Sequence, residues 1–280
     1  MRIHQSHLAG ASLAILSLAA PALAQTRAAP ETVLVTASPL ARTTDQFATI
    51  VDVVSPADIL AQGGANLADV LKTVPGLSST GFAGGASRPV IRGMDATRVK
   101  VLENGLSSSD VSDIGPDHGV PSDPMITQRL EVVRGAATLR YGSQAIGGVI
   151  NAINNRVPLT LPDAATAQGN ISYDSVSDGA QGGLMGDGAV GNFAFHGDVF
   201  LRRQGDYDTP LGVQANSYAH GDSFSGGTSY FFGDASRVGG AVVHYDANYG
   251  IPSDTTQILM RQTKFLTDDS FELGWGRSRR

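Results

Sequence analysis

The sequence contains no cysteine and few aromatic residues. Without cysteine, disulfide bonds cannot support the fold, even in an oxidising compartment. Aromatic residues make up only 6% of the 280 residues, and the formal net charge is -6, which argues against a nucleic-acid-binding protein. Glycine, by contrast, occurs 34 times. The composition therefore excludes a disulfide-stabilised scaffold and indicates no nucleic-acid partner.

Motifs of common hydrolases and nucleotide-binding proteins are also missing. No H-E-x-x-H occurs, and "GSQAIG" does not match G-x-S-x-G. The related stretch "YGSQAIGG" lacks the Lys-Ser/Thr of a phosphate-binding loop and does not form G-x-G-x-x-G. An enzyme is therefore the least expected class, and no catalytic residue is assigned. Beyond the N-terminal region, no segment reaches the roughly 20 apolar residues of a membrane-spanning helix.

The N-terminus has the pattern of a secretory signal peptide. Arg2 and two histidines precede the apolar run "LAGASLAILSLAA", and "PALA" follows immediately before Gln25. Ala22 and Ala24 fit an A-x-A cleavage site. We therefore expect residues 1–24 to be a cleaved leader and the mature chain to be exported.

Residues 25–47 are predicted to form a polar tail that contains one strand-forming peptide. In "ETVLVTAS", residues 31–38, Val33, Val35 and Ala37 alternate with other side chains. Such a peptide can add a strand to the edge of a partner's sheet, where main-chain hydrogen bonds supply the affinity. The alternative is a simple strand docked on the next domain. The candidate partner-binding residues are Glu31, Thr32, Val33, Leu34, Val35, Thr36 and Ala37.

Residues 48–158 are predicted to form a compact α+β domain. In "SPADILAQGG", Ser55 is the expected N-cap and Gly63 the expected end of a first helix, and a second helix is expected to start at Asn66. The stretches "RPVIRGM" and "RVKVLENGL" are strand-like. The dipeptide Asn104-Gly105 closes the second stretch and predicts a hairpin.

Residues 168–280 show the period of exposed β-strands. In "NFAFHGDVFLR", Phe193, Phe195, Val199 and Leu201 share one face, and only Phe200 breaks the alternation. In "GGAVVHYDANY" the apolar set comprises Ala241, Val243, Tyr245, Ala247 and Tyr249, and in "DSFELGW" it comprises Phe271, Leu273 and Trp275. Alternation over segments of about ten residues is typical of outer-membrane strands with the apolar face outward. A soluble β-sandwich would alternate as well, but the signal peptide favours the membrane interpretation.

Three stretches resemble TonB-dependent outer-membrane receptors. These are "ETVLVTAS", similar to a TonB box, "VIRGM", similar to the I-R-G plug motif, and "LEVVRGAATLRYGSQAIGGVINAINNRVP", similar to the C-terminal plug signature. The resemblance covers residues 31–158. It implies an α+β plug domain followed by antiparallel transmembrane β-strands of an incomplete barrel of about 22 strands. It also implies three partners: the TonB energy-transducing complex, outer-membrane lipid, and a metal ion or metal chelate.

The stretch "DIGPDHGVPSDP" supplies the candidate metal ligands. It resembles the plug loop of receptors proposed to import zinc, in which an Asp-His pair faces the extracellular side. Asp117 and His118 are the first candidates, and Asp113 and Asp123 are weaker ones. Imidazole and carboxylate suit zinc, here a transported ligand and not a resident cofactor, but they also suit iron, nickel or copper. The alternative is a solvated acidic loop.

Two arginines and three histidines complete the set of expectations. Arg92 of "IRGM" and Arg134 of "VRGAA" each precede a glycine, and we expect their guanidinium groups to contact carboxylates on the barrel wall. The histidines His196, His220 and His244 are expected to be lumen or loop residues and not metal ligands.

The chain after residue 168 has room for only about seven strands, and "LGWGRSRR" breaks the alternation. We therefore expect a truncated receptor or a fragment. Zinc uptake is the first functional hypothesis. The alternatives are uptake of a siderophore or another metal chelate, and a periplasmic binding module made of plug and tail alone.

Overall fold

A computed structural model describes residues 34–35, 42–43, 50–63, 66–81, 83–107, 115, 117–142, 144–232, 236–252 and 257–271, with only the backbone given for residues 34–35, 42–43, 50 and 257–271. The predicted signal peptide lies outside the described residues. So do Asp113, Leu273, Trp275 and the predicted partner-binding residues 31–33 and 36–37. Within the part that is described, no helix has the length and apolar character needed to cross a membrane.

Two short helices begin and end where their capping residues predict. Helix α1 spans Pro56–Gln62, with a capping box between Ser55 and Asp58 and a left-handed Gly63 at its end. Helix α2 spans Leu67–Val70, is capped by the Asn66 side chain and continues as a 3-10 turn over Leu71–Thr73. Both predicted helices are confirmed, because each depends on local hydrogen bonds that the sequence specifies directly.

The α+β domain contains a five-stranded sheet. Its strands are β3 (Ile50–Val54), β6 (Val99–Glu103), β7 (Leu106–Ser107), β8 (Arg129–Arg134) and β9 (Gly148–Ile153), in the spatial order β3-β8-β9-β6-β7. Strands β6 and β9 pair in parallel, and the other neighbours pair antiparallel. Asn104 and Gly105 both have positive φ and form the predicted hairpin turn between β6 and β7.

Two smaller strand pairs accompany this sheet. Strands β4 (Leu77–Ser79) and β5 (Pro89–Ile91) pair antiparallel, as do β1 (Leu34–Val35) and β2 (Arg42–Thr43). The described residues of the predicted partner-binding peptide, Leu34 and Val35, therefore lie in a two-residue ladder with residues 42–43. Both strands of this pair belong to the predicted tail, so the pairing is neither a partner strand nor a strand docked on the next domain, and the role of the peptide stays a prediction.

The core of the domain lies between the two helices and one face of the five-stranded sheet. Its buried side chains are aliphatic and come from every layer of the domain: Val54, Ile59, Leu67, Val70, Leu71, Leu77, Ile91, Val99, Val101, Val120, Leu130, Val132, Ile150 and Ala152. Strand β9 is buried along its whole length and is apolar or small except at Asn151, whose Oδ1 accepts a hydrogen bond from the Gly105 N–H.

Residues from 166 onward form a six-stranded antiparallel sheet. The strands are β10 (Thr166–Asp174), β11 (Gly179–Val190), β12 (Phe193–Gln204), β15 (Ala219–Phe231), β16 (Ser236–Gly250) and β17 (Gln257–Phe271), in the order β10-β11-β12-β15-β16-β17. A small hairpin of β13 (Asp208–Thr209) and β14 (Gly212–Val213) lies in the connection between β12 and β15. Among the described strands, β10 and β17 are the two edges of this sheet.

Strand β12 confirms the predicted alternation of faces. Phe193, Phe195, Gly197, Val199 and Leu201 are exposed, and the residues between them are buried. Phe200, the predicted exception, is buried in a cluster with Met125 and Ile126 of the α+β domain. The inner face of this strand therefore packs against that domain, and its outer face is apolar and open.

Strand β16 has the opposite orientation to the one expected. Ala241, Val243, Ala247 and Tyr249 are buried on the inner face, and Val242 is exposed on the outer face. The register with β15 requires this, because Val243 lies opposite Ser225, whose side chain is also buried. Apolar residues are stable on this inner face because the α+β domain, and not water, covers them.

Aromatic residues gather on the outer face near the tight turns of the sheet. The rings of Phe193 and Tyr230 lie 4.8 Å apart, those of Phe193 and Phe195 lie 6.2 Å apart, and those of Tyr230 and Phe232 lie 6.0 Å apart. The connection at residues 191–192, between β11 and β12, is at this end. An outward apolar surface edged by aromatic side chains is typical of strands in an outer membrane.

Candidate functional site

The candidate metal ligands Asp117 and His118 lie on a loop that β16 holds in place. Asp117 Oδ1 and His118 Nδ1 are 3.0 Å apart, and both side chains are about one third exposed, at 39% and 31%. The Gly119 N–H donates to Tyr249 Oη at 3.0 Å, and the Tyr249 hydroxyl donates to the Asp117 carbonyl at 2.9 Å. The tyrosine thus fixes the loop backbone, and the imidazole and carboxylate stay accessible.

This pair is not part of a larger ligand cluster in the described residues. No group of three or more His, Asp or Glu side chains in that part of the chain is arranged to hold a metal ion. A zinc shell takes four ligands, so two further donors would have to come from elsewhere. The assignment of Asp117 and His118 as ligands stays a prediction.

Asp123, a weaker candidate, does not join the pair. Its carboxylate is buried and accepts a hydrogen bond from Ser223 Oγ of β15 at 2.9 Å. Burial raises the pKa of Asp123, and the nearby Arg202 guanidinium opposes that rise. The structure therefore gives Asp123 an anchoring contact between the α+β domain and the sheet.

A second group of charges, which sequence reasoning did not identify as a site, lies buried between the domain and the sheet. We call it the buried charge cluster, and its members are Glu103, Arg156, Asp187, His196 and Asp198. Arg156 pairs with Glu103 of its own domain, and its Nε donates to Asp198 Oδ2 of β12 at 3.2 Å. The side chain of Asp198 is 0% exposed and that of Arg156 only 8% exposed. Ion pairs this deeply buried are costly to leave unmatched.

The cluster contains further hydrogen bonds that cross the interface. Asn155 Nδ2 donates to Asp187 Oδ1 of β11 at 2.5 Å, and Ser225 of β15 donates to Asp198. Burial by itself would lower the pKa of Arg156, but the carboxylates of Glu103 and Asp198 raise it, so the guanidinium stays charged. Arg156 is therefore the main cationic contact of the α+β domain with the sheet in this cluster.

The two arginines expected to reach the barrel wall are placed differently. Arg134 pairs with Asp52 of the neighbouring strand β3 and donates to the Pro75 carbonyl at 2.9 Å. Both partners belong to the same domain, and the expected contact of Arg134 with the barrel wall stays a prediction. Arg92 is exposed, at a turn with φ of 51°, and its backbone N–H donates to the Gly76 carbonyl at 3.0 Å. For Arg92 a barrel contact stays a prediction.

A comparison with protein families identifies the α+β domain. Residues 43–149 match the family model described as the TonB-dependent receptor plug domain. The chain therefore carries the plug domain of the TonB-dependent receptors. We call residues 50–158 the plug from here on, and the fold consists of this plug seated against antiparallel strands of the receptor-barrel type.

Curated relatives match a larger part of the chain. A hemin receptor of Yersinia pestis is 36% identical over 121 residues, which is 43% of this chain and 18% of the relative. An iron-regulated outer membrane virulence protein of Vibrio cholerae serotype O1 is 31% identical over 176 residues, which is 60% of this chain and 26% of the relative. The chain thus spans about a quarter or less of these receptors.

Solved structures show the same fold. The copper transporter OprC is similar with a TM-score of 0.61 and 19% identity, over 77% of this chain and 33% of that protein. The ferric citrate transporter FecA is similar with a TM-score of 0.59 and 22% identity, over 75% of this chain and 32% of that protein. Both similarities extend beyond the plug, since the plug alone is a smaller part of the chain than the share that aligns.

Proposed function

We propose that this chain is part of an outer-membrane receptor that imports a metal in chelated form, such as a ferric siderophore or hemin. The observation that carries this proposal is the plug seated on the inner face of barrel-type strands through the buried charge cluster. The named relatives, a hemin receptor and an iron-regulated outer membrane protein, support the substrate class. The matched families are receptors and transporters, and we propose no enzymatic reaction.

The chemistry of the plug–sheet interface suits a plug that must move. A buried ion pair contributes less net stability than an apolar contact of the same size, because its charges lose their hydration. Water that enters the interface hydrates Arg156, Asp198 and Asp187 again, which favours the open state. An interface of this kind holds its position at rest and separates under a moderate force.

We propose that this force comes from an inner-membrane TonB complex that pairs with residues 31–38. Strand β1 contributes only two residues to its ladder with β2, so a partner strand could replace β2 at low cost. We further propose that the leader directs export and that the product lies in the outer membrane of a Gram-negative bacterium.

Zinc import is the second candidate function, and the Asp117–His118 pair favours it. The imidazole and carboxylate are accessible and close to each other, and their backbone is fixed by Tyr249. Because Asp123 is anchored to Ser223 and does not join the pair, this version of the proposal takes the remaining donors from Asp113 or from barrel residues of the full receptor.

Calorimetric titration of the purified chain in detergent micelles tests both candidates. The titrants are hemin, a ferric catecholate siderophore and zinc chloride. The proteins are the wild type, Asp117→Ala, His118→Ala and a control, His220→Ala, which removes an exposed histidine from β15. Binding of a chelate without binding of zinc supports chelate import. Zinc binding that weakens in the Asp117 and His118 variants but not in the control supports zinc import. If none of the titrants binds, the chain has no ligand site of either kind.

A further inference from the structure

His196 lies between two carboxylates on the inner face of the sheet. Its Nδ1 is 2.9 Å from Asp187 Oδ1 and its Nε2 is 3.1 Å from Asp198 Oδ2. The imidazole is buried, with only 1% of its side chain exposed. A neutral imidazole carries one N–H, and its other nitrogen is an acceptor. Both contacts are hydrogen bonds only when both nitrogens are protonated.

The same two carboxylates receive the plug. Asp198 Oδ2 accepts from Arg156 Nε, and Asp187 Oδ1 accepts from Asn155 Nδ2, so each carboxylate oxygen is shared between His196 and a plug residue. The protonated imidazole therefore fixes the positions of the two carboxylate oxygens that accept hydrogen bonds from Arg156 and Asn155. His196 does not contact the plug through these bonds. It acts through Asp187 and Asp198.

The balance of charge depends on the same proton. Three carboxylates, those of Glu103, Asp187 and Asp198, face the cations Arg156 and His196. Loss of the proton from His196 leaves three carboxylates facing one cation. The next charged groups are Asp123 and Arg202, of which Asp123 interacts with Asp198 repulsively and with Arg202 attractively. Ser225 supplies a further neutral hydrogen bond to Asp198.

A cavity gives protons a route to this position. It has a volume of about 340 Å³ and lies between helix α1 and the first strands of the sheet, and Gln128, Thr166, Gln168 and Asp187 are among its lining residues. The side chain of Asp187 is 17% exposed. A proton can therefore pass between water in the cavity and His196 through the Asp187 carboxylate, without opening of the plug.

We propose that His196 is a proton-dependent latch that positions Asp187 and Asp198 for the plug residues Arg156 and Asn155. With both nitrogens protonated, it holds the two acceptors in place. With one proton lost, one nitrogen lone pair faces a carboxylate, the acceptors separate, and the plug is held less firmly. This role goes beyond the proposed import function and does not depend on which ligand is transported.

Hydrogen exchange of the full chain in detergent micelles tests the latch. Peptides covering β6 and residues 154–157 are followed at several pH values between about 5.5 and about 8.5, on both sides of the ordinary histidine range, with correction for the intrinsic exchange rate. In the wild type we expect protection of these peptides to fall about tenfold or more as the pH rises, the effect of losing one charged hydrogen bond. In His196→Gln, whose side chain at position 196 cannot titrate, we expect low protection that changes much less with pH, because only the contribution of Asp123 remains. The control His220→Gln should behave like the wild type.

A second measurement keeps the test valid if His196→Gln does not fold. The ring ¹⁵N shifts of His196 in the wild-type chain report its protonation directly. Both nitrogens should be protonated at neutral pH, and the pH at which one proton is lost should match the pH at which protection falls. A neutral His196 ring at neutral pH would overturn the proposal. So would wild-type protection that is independent of pH, or a pH dependence in His196→Gln that is as large as in the wild type.

Discussion

Replacement of Arg156 by methionine should strongly destabilise the contact between the plug and the six-stranded sheet. The methionine keeps much of the length and volume of the arginine stem but removes the guanidinium. Asp198 then loses its hydrogen bond from Arg156 Nε, and Glu103 loses its ion-pair partner. The side chains of these carboxylates are only 0% and 12% exposed, so water cannot readily replace the lost partner.

The expected loss in the free energy of unfolding is about 3–5 kcal/mol, the range seen when one partner of a buried ion pair is removed. The exposed pair between Arg203 and Asp222 gives a matched control. Their atoms are 3.4 Å apart and their side chains are 57% and 45% exposed. Arg203→Met should therefore cost less than about 1 kcal/mol.

Urea unfolding of the full chain in detergent micelles, followed by far-UV circular dichroism, measures both variants. A third protein, Arg156→Met with Glu103→Gln and Asp198→Asn, tests the cause of the loss. If uncompensated carboxylates are responsible, their neutralisation should recover a large part of the lost stability. The reasoning is refuted if Arg156→Met costs no more than Arg203→Met, or if the triple variant is less stable than the single one.

Two further predictions concern other plug–sheet contacts. Burial raises the pKa of Asp123, so its contribution to stability is complete below the ordinary aspartate pKa of about 3.9 and is lost as the pH rises through the raised value. Asp123→Asn should therefore flatten the decline in unfolding free energy that sets in as the pH rises above about 4, whereas the exposed Asp163→Asn should not. Gly85→Ala should cost about 1–3 kcal/mol in urea unfolding, because the new methyl would overlap the ring of Tyr249, which is 1% exposed. An unchanged midpoint would mean that this ring can move.

Local signals predicted the parts of the fold that depend on neighbouring residues. Ser55 and Gly63 bound helix α1, and Asn104-Gly105 forms the turn of a hairpin, because caps and tight turns are made by residues a few positions apart. The predicted alternation in β12 is also confirmed by the structure. Within a single strand, the inner and outer faces can be distinguished from the sequence when large apolar side chains lie on only one face.

Strand β16 shows where that reasoning fails. This strand has an apolar set that could face either lipid or a packed plug, namely Ala241, Val243, Ala247 and Tyr249. Both environments favour apolar side chains. The pairing with β15 and the cluster of Tyr249 with Ala83, Ala86 and Ile251 decide in favour of the plug. A hydrophobic pattern reports that a face avoids water and does not report what covers it.

By itself, the sequence determined the plug domain, the capped helices and the antiparallel strands with a period of two, since these depend on short-range geometry and on ordered motifs. The tertiary structure alone decided how the plug and the sheet are joined. Arg156 meets Asp198 across 42 residues and Glu103 across 53, and Tyr249 reaches Asp117 across 132. Which charges become partners depends on how the chain folds back on itself, so Arg134 paired within the plug and Arg156 became the contact with the sheet.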